Sequence, residues 1–242
     1  MVRDRVGHTG LLELLLFIVL VPSGAVRAQY DEQPEYRPFE GRVLSLGAFS
    51  LDFEPRPDNT TPDSAAINFR RWMPLIGFRQ GSVEIMLGYT TYDLGGVTRS
   101  SVHLSAQVSR DVPLAGRRPG ALVLPVMVTA DFTKAEGTGP ERENFNIASL
   151  GVAAGLKYRY YTEAMEFSVQ VVQAAHFSSE GLSTGSGFSA LTSGHALLVL
   201  HQSLVFDGVA VGYRFRYQTW AMDNSRFNYR SISHGPFLAI VF

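Results

Sequence analysis

From about residue 42 to its end, the chain alternates residue by residue between apolar side chains and polar or small ones. The alternation recurs in segments of ten or so residues. A period of two is that of a strand with two unlike faces. Ser101 to Ser109 is a clear case, with Val102, Leu104, Ala106 and Val108 against His103, Ser105 and Gln107. The polar face draws on Gly, Ser, Gln and Arg more than on the Lys, Glu and Thr of a strand wetted by bulk water. This composition suits a crowded lumen, with the apolar face turned outward. Hydrocarbon admits only helices and closed barrels, so the pattern predicts an all-β chain forming a transmembrane up-and-down antiparallel β-barrel.

Ten segments carry the pattern: 42–53, 65–75, 82–92, 101–109, 121–132, 147–160, 164–177, 191–204, 209–219 and 232–242. The phase of the first is ambiguous. The second is read with Ile67 and Phe69 outward and Asn68 and Arg70 inward. Connections 54–63, 93–97, 133–146, 178–187 and 220–231 fall at one end. At the other end turns centre on 77–81, 111–120, 161–163 and 206–208, and most of these are shorter. Long outer loops and short periplasmic turns belong to outer-membrane barrels. Eight strands is the alternative count, if the first or the eighth segment is a loop. Tyr89 and Tyr217 are placed near the outer interface, and Tyr158 and Tyr160 near the periplasmic one.

The last strand ends on Phe242, with Leu238 and Ile240 in the same phase. This ending resembles the C-terminal assembly signal of bacterial outer-membrane β-barrel proteins. The resemblance implies that the barrel-assembly machinery recognises Leu238, Ile240 and Phe242. At the other end, Arg3 and Arg5 precede an apolar run from Leu11 to Val21, and Val26-Arg27-Ala28 is a small-residue cleavage site. The run is too short to span the roughly 20 residues a membrane helix needs. Residues 1–28 are therefore read as a signal peptide cleaved near Ala28, 29–40 as a periplasmic lead-in and 41–242 as the barrel. The expected location is the bacterial outer membrane, with both mature termini periplasmic. Expected partners are outer-membrane lipid, lipopolysaccharide and further outer-membrane or periplasmic proteins.

Composition narrows the chemistry. A formal net charge of −1 argues against a nucleic-acid partner. The absence of cysteine excludes disulfides, thiolate metal sites and a cysteine nucleophile. His195 and His201 lie six apart on one strand, too far for one metal, so neither a metal nor a cofactor is expected. Arg70, Lys157, Arg159, Arg214 and Arg216 fall on the predicted lumenal face, against Glu84, Asp131 and Glu166. In a narrow barrel such charges must pair. They form either a structural plug or a tight path for small anions. A small structural or accessory barrel, or a narrow solute channel, is the function this predicts.

One short stretch carries a different chemistry. His176-Phe177-Ser178 puts an imidazole and a hydroxyl on one face of an extended chain. It is similar to the His-x-Ser signature of outer-membrane lipid A deacylases. That resemblance implies His176 as base and Ser178 as nucleophile; the family's acid lies further along the chain, and Glu180 is a nearby candidate for that role. By phase, His176 shares the lumenal face with Glu166 and Ser168. No bulge is expected near Ala174-Ala175, so His176 should point inward.

Overall fold

The computed structural model describes residues 41–62, 65–117, 119–138, 144–180, 185–201 and 206–242. The signal-peptide and lead-in readings lie outside them. Ten strands form one closed antiparallel barrel: β1 (Arg42–Pro55), β2 (Phe69–Gln80), β3 (Val83–Leu94), β4 (Val97–Arg117), β5 (Gly120–Ala135), β6 (Phe145–Tyr161), β7 (Met165–Glu180), β8 (Ser186–His201), β9 (Gly208–Met222) and β10 (Tyr229–Val241). Each pairs with its sequence neighbours, and β1 closes the sheet against β10. Arg42 and Phe242 exchange both backbone bonds at the seam, at 2.9 and 3.0 Å.

The register fixes the tilt. Paired residues lead from Arg42 through Gln80, Val83, Val108, Val128, Val152, Ala175, Ala190, Thr219 and Arg230 back to β1. The return falls on Glu54, twelve residues beyond Arg42. A stagger of that size requires strands tilted about 35–45° to the axis. Successive residues then alternate between lumen and exterior all round the wall. Outside lie Leu46, Ile85, Leu87, Val128, Leu150, Val171, Val211 and Leu238, all exposed. Apolar outside and polar inside reverses the order of a soluble protein and suits hydrocarbon. Leu238 and Phe242 are exposed on this exterior, and Ile240 shares their phase half-buried.

Turn chemistry shapes the ends. Gly95 and Gly96 both have positive φ, 61° and 77°, as a two-residue primed hairpin requires. The segment 77–81, read as a turn, is strand almost to its end. Residues 76–80 of β2 pair with β1 and β3, and the reversal falls at Gly81-Ser82. The turn expected over 111–120 is likewise mostly strand. β4 continues to Arg117, carrying Pro113 through a register shift between Pro113 and Ala115.

The face assigned to the second segment is corrected. Phe69 points inward and stacks on Phe53 at 5.5 Å and on Tyr92 at 3.8 Å. Ile67 precedes the strand and is buried, its N–H donated to the Tyr229 hydroxyl at 3.2 Å. Arg70 is therefore not a lumen charge. It lies on the exterior, highly exposed, paired with Asp52 on β1. The reading failed because the lumen is aromatic at this height, so polarity no longer distinguishes the faces. β1 resolves the same way, with Phe49, Leu51 and Phe53 inward and Leu44 and Leu46 outward.

An exposed belt makes a direct prediction. Val171 lies near the middle of β7 on the exterior. Val171→Arg should destabilise the barrel by about 2–4 kcal/mol in lipid, and Val171→Leu should be neutral. Urea unfolding in phospholipid vesicles reads the difference; equal stability of the two would mean that the belt is not in lipid.

Candidate functional site

The lumen is filled in layers. At the end where the β1–β2, β5–β6, β7–β8 and β9–β10 connections gather, six inward rings meet: Phe53, Phe69, Tyr92, Phe145, Trp220 and Tyr229, all buried. Phe53 lies 5.0 Å from Tyr229 and 5.1 Å from Phe145 between ring centroids, and Phe145 lies 5.0 Å from Trp220. Offset and edge-on pairs at these distances add to the gain from burial. Each ring comes from the last inward positions of a different strand, so closing the barrel gathers them.

The mouth above is tied down by polar contacts. Asn59 donates to the carbonyls of Arg226 and Asn228 at 3.0 and 2.9 Å. Arg56 donates to the Trp220 carbonyl at 3.0 Å. Asn228 accepts the Met222 N–H at 2.7 Å beside the helical turn Ser225–Phe227. Across the mouth, the Tyr92 hydroxyl donates to the Glu136 carbonyl at 2.5 Å. The Ser100 N–H, with Lys134 close by, holds the Glu136 carboxyl below its ordinary value. The Asn59 stretch thus serves as loop chemistry.

Below the rings lies a hydroxyl and histidine layer. Ser178 bonds Ser149 at 2.7 Å and Ser189 at 3.0 Å. His176 bonds Thr129 at 2.7 Å through Nε2 and Ser189 at 3.3 Å through Nδ1, with Asp131 3.6 Å from Nε2. The β7 register runs unbroken through residues 174–178 on both sides, so there is no bulge and His176 points inward. Opposite it on β6 stands Gly151, where an added Cβ would come within 2.0 Å of the Ala175 carbonyl oxygen and 2.6 Å of the imidazole. The missing side chain is the space His176 occupies.

The charges complete the filling. Arg216 reaches across from β9 to Asp131 at 2.8 Å. Arg214 pairs with Glu84 at 2.7 Å, and Glu84 also accepts from Gln107 at 2.6 Å. Towards the opposite end, Lys157 meets Asp111 at 2.8 Å and Arg159 meets Glu166 at 2.7 Å. The buried apolar group Met127, Ala153, Val172, Ala174 and Leu191 lies among the inward side chains of β5 to β8. One cavity among these side chains is about 40 Å³, lined by Glu84, Ser105, Asp131, His195, Arg214 and Arg216 among others. His103 bonds Thr133 at 3.1 Å. Among the described residues no three His, Asp or Glu side chains are grouped to hold a metal.

The structure brings Glu84, Asp131, Lys157, Arg159, Glu166, Arg214 and Arg216 into the lumen and leaves Arg70 outside. Sequence reasoning missed Asp111, which sits inside what was read as a turn. Continuing the phase of Gln107 by two residues at a time reaches it. It also missed Ser149, Ser189 and Thr129 as contacts of the His176 stretch, because register decides which strands lie opposite.

No protein-family model matches the chain, and no curated protein matches it. Solved structures similar to it include Neisserial surface protein A, at 11% identity and a TM-score of 0.32, covering 83% of this chain and 97% of that one. The outer-membrane protease OmpT of Escherichia coli gives 10% identity and a TM-score of 0.34 over 87% and 99%. The toluene transporter TodX of Pseudomonas putida gives 7% and 0.28 over 85% and 90%. Identities this low and superpositions this loose carry no functional inference.

A buried ion pair is tested by breaking it from one side. Arg216→Met leaves Asp131 charged in the lumen and should cost about 3–5 kcal/mol of stability. Adding Asp131→Leu should recover most of that loss. A denaturant-based double-mutant cycle measures both; a fully additive result would mean that Arg216 and Asp131 do not act as a pair.

Proposed function

We propose that the chain is a bacterial outer-membrane barrel with a lumen packed shut, serving a structural or accessory role rather than conducting solutes. In this reading the ring-filled end faces outward and Arg42 and Phe242 lie at the periplasmic side. The membrane part rests on the apolar exterior. One observation carries the rest: two closures stand in series, the six-ring cluster and the ion-paired layer beneath it. The cavity of about 40 Å³ has room for only a few waters. A narrow anion path would need unpaired cations along the lumen, whereas Arg214, Arg216, Lys157 and Arg159 each face an acid.

The deacylase reading draws less support. His176 and Ser178 are buried in the lumen, at 2% and 0% exposure. The imidazole bonds Ser189 and Thr129, and Ser178 bonds other serines. An acyl chain arriving from the membrane meets the outward Phe177 instead, which packs edge-on against Phe188 at 6.2 Å.

Two measurements test the reading. Purified protein in a planar bilayer should show no steady conductance, and a stable open pore would end the packed-lumen proposal. Lipid A from cells expressing the unmodified protein, His176→Ala or Ser178→Ala should have identical masses. Loss of an acyl chain with the unmodified protein alone would establish the hydrolase.

A further inference from the structure

The barrel wall is not equally sewn. β2 and β3 pair from Gln80↔Val83 up to Leu75↔Gly88, and there the ladder stops. Residues 69–74 and 89–94 remain extended, and on their other sides they stay paired to β1 and β4. The cause lies in the sequence. The two-residue turn Gly81-Ser82 makes Gln80 and Val83 a hydrogen-bonded pair, so alternation gives the even positions of β2 their bonds to β3. Pro74 falls on such a position and has no N–H to give. Pro125 and Pro236 also interrupt ladders, but pairing resumes beyond them, at Val123↔Lys157 and Ser50↔His234. At Pro74 it does not resume.

Side chains hold the split instead. Thr90 donates its hydroxyl to the Trp72 carbonyl at 2.8 Å. Arg71 pairs with Asp93 at 3.3 Å, exposed. On the lumen side Phe69 of β2 stacks flat on Tyr92 of β3 at 3.8 Å, and these two rings are the edge of the six-ring cluster. On the exterior Trp72 and Tyr89 stand exposed beside the gap. Opening here breaks one ion pair, one side-chain bond and one stacking contact, and leaves the rest of the ladder intact. Hydrocarbon does not tolerate an open strand edge without something to cover it.

We propose that the split between residues 69–74 and 89–94 is a lateral portal, through which an apolar molecule dissolved in the membrane reaches the aromatic cluster. The proposal rests on the membrane reading above and is independent of whether solutes cross the barrel. The cluster is the binding site: its rings face inward, it is closed towards the mouth by the Asn59 and Arg56 ties, and the portal opens onto its Phe69–Tyr92 edge. An acyl chain or a compact hydrocarbon fits this chemistry, since the rings offer apolar faces and the hydroxyls of Tyr92 and Tyr229 are already bonded.

The chain has two tryptophans, and they report the two sides of the wall. In phosphatidylcholine vesicles containing a doxyl-labelled stearic acid, Trp72 emission should be quenched in the unmodified protein. Without that quenching the barrel is not in lipid, and both readings fall. In Trp72→Phe only Trp220 emits, from inside the cluster, and the free fatty acid should quench it several-fold more strongly than a probe fixed to a phospholipid headgroup. Adding Pro74→Val restores the missing N–H and should reduce that quenching. So should closing the gap through a Trp72→Cys/Thr91→Cys pair, compared before and after oxidation. If Trp72 is quenched but Trp220 is not, or if sealing the gap leaves Trp220 quenching unchanged, the portal is refuted alone. Hydrogen exchange on the unmodified protein adds a check that needs no variant: the backbone amides that face the gap, those of Arg70, Trp72, Thr91 and Asp93, should exchange much faster than those of β5 and β6. Equal protection would overturn the proposal.

Discussion

Backbone hydrogen bonding in a medium without water is the interaction on which this barrel depends. Each N–H and C=O facing hydrocarbon must find its match within the protein. For a sheet, that means closing on itself, and the bonds between Arg42 and Phe242 at the seam are where closure is completed. The twelve-residue stagger follows, and with it the tilt and the narrow bore. A narrow bore leaves inward side chains no bulk water, so they must satisfy one another. The rings at one end, the serine–histidine layer and the ion pairs are three local answers to that demand.

The same requirement makes proline informative. A proline costs nothing on an edge, but inside a closed membrane sheet it removes a bond that no water replaces. Pro125 and Pro236 each cost a short interruption. Pro74 costs the whole upper half of one ladder, and the strands there rely on Thr90, Arg71 and two stacked rings. The interrupted ladder thus lies beside the aromatic rings.

The His176 stretch shows how position decides chemistry. Its histidine has an acid and hydroxyls within reach, which are the ingredients of nucleophilic catalysis. They are sealed between the rings above and the Arg216–Asp131 pair beside them. Buried there, these groups hydrogen-bond one another across β5, β6, β7 and β8.

The sequence by itself determined the architecture. Period-two alternation is a local property, legible wherever the two faces differ in polarity, as in Val83–Tyr89 or Val102–Val108, and it yielded ten strands and the inward phase of most of the charges. It failed where the faces do not differ. Phe69 points into an aromatic lumen and Ile67 is buried ahead of the strand, so polarity placed both outside and put Arg70 inside, whereas the pairing of Phe53 with Phe69 puts Arg70 on the exterior beside Asp52. It failed again at Asp111, placed in a turn over 111–120 that lies mostly inside the longest of the described strands. Which acid meets which arginine, which strands surround His176, and where the ladder parts at Pro74 were decided only by the tertiary structure. Those depend on register between strands far apart in the chain, and register is fixed by closure of the whole sheet rather than by any segment of it.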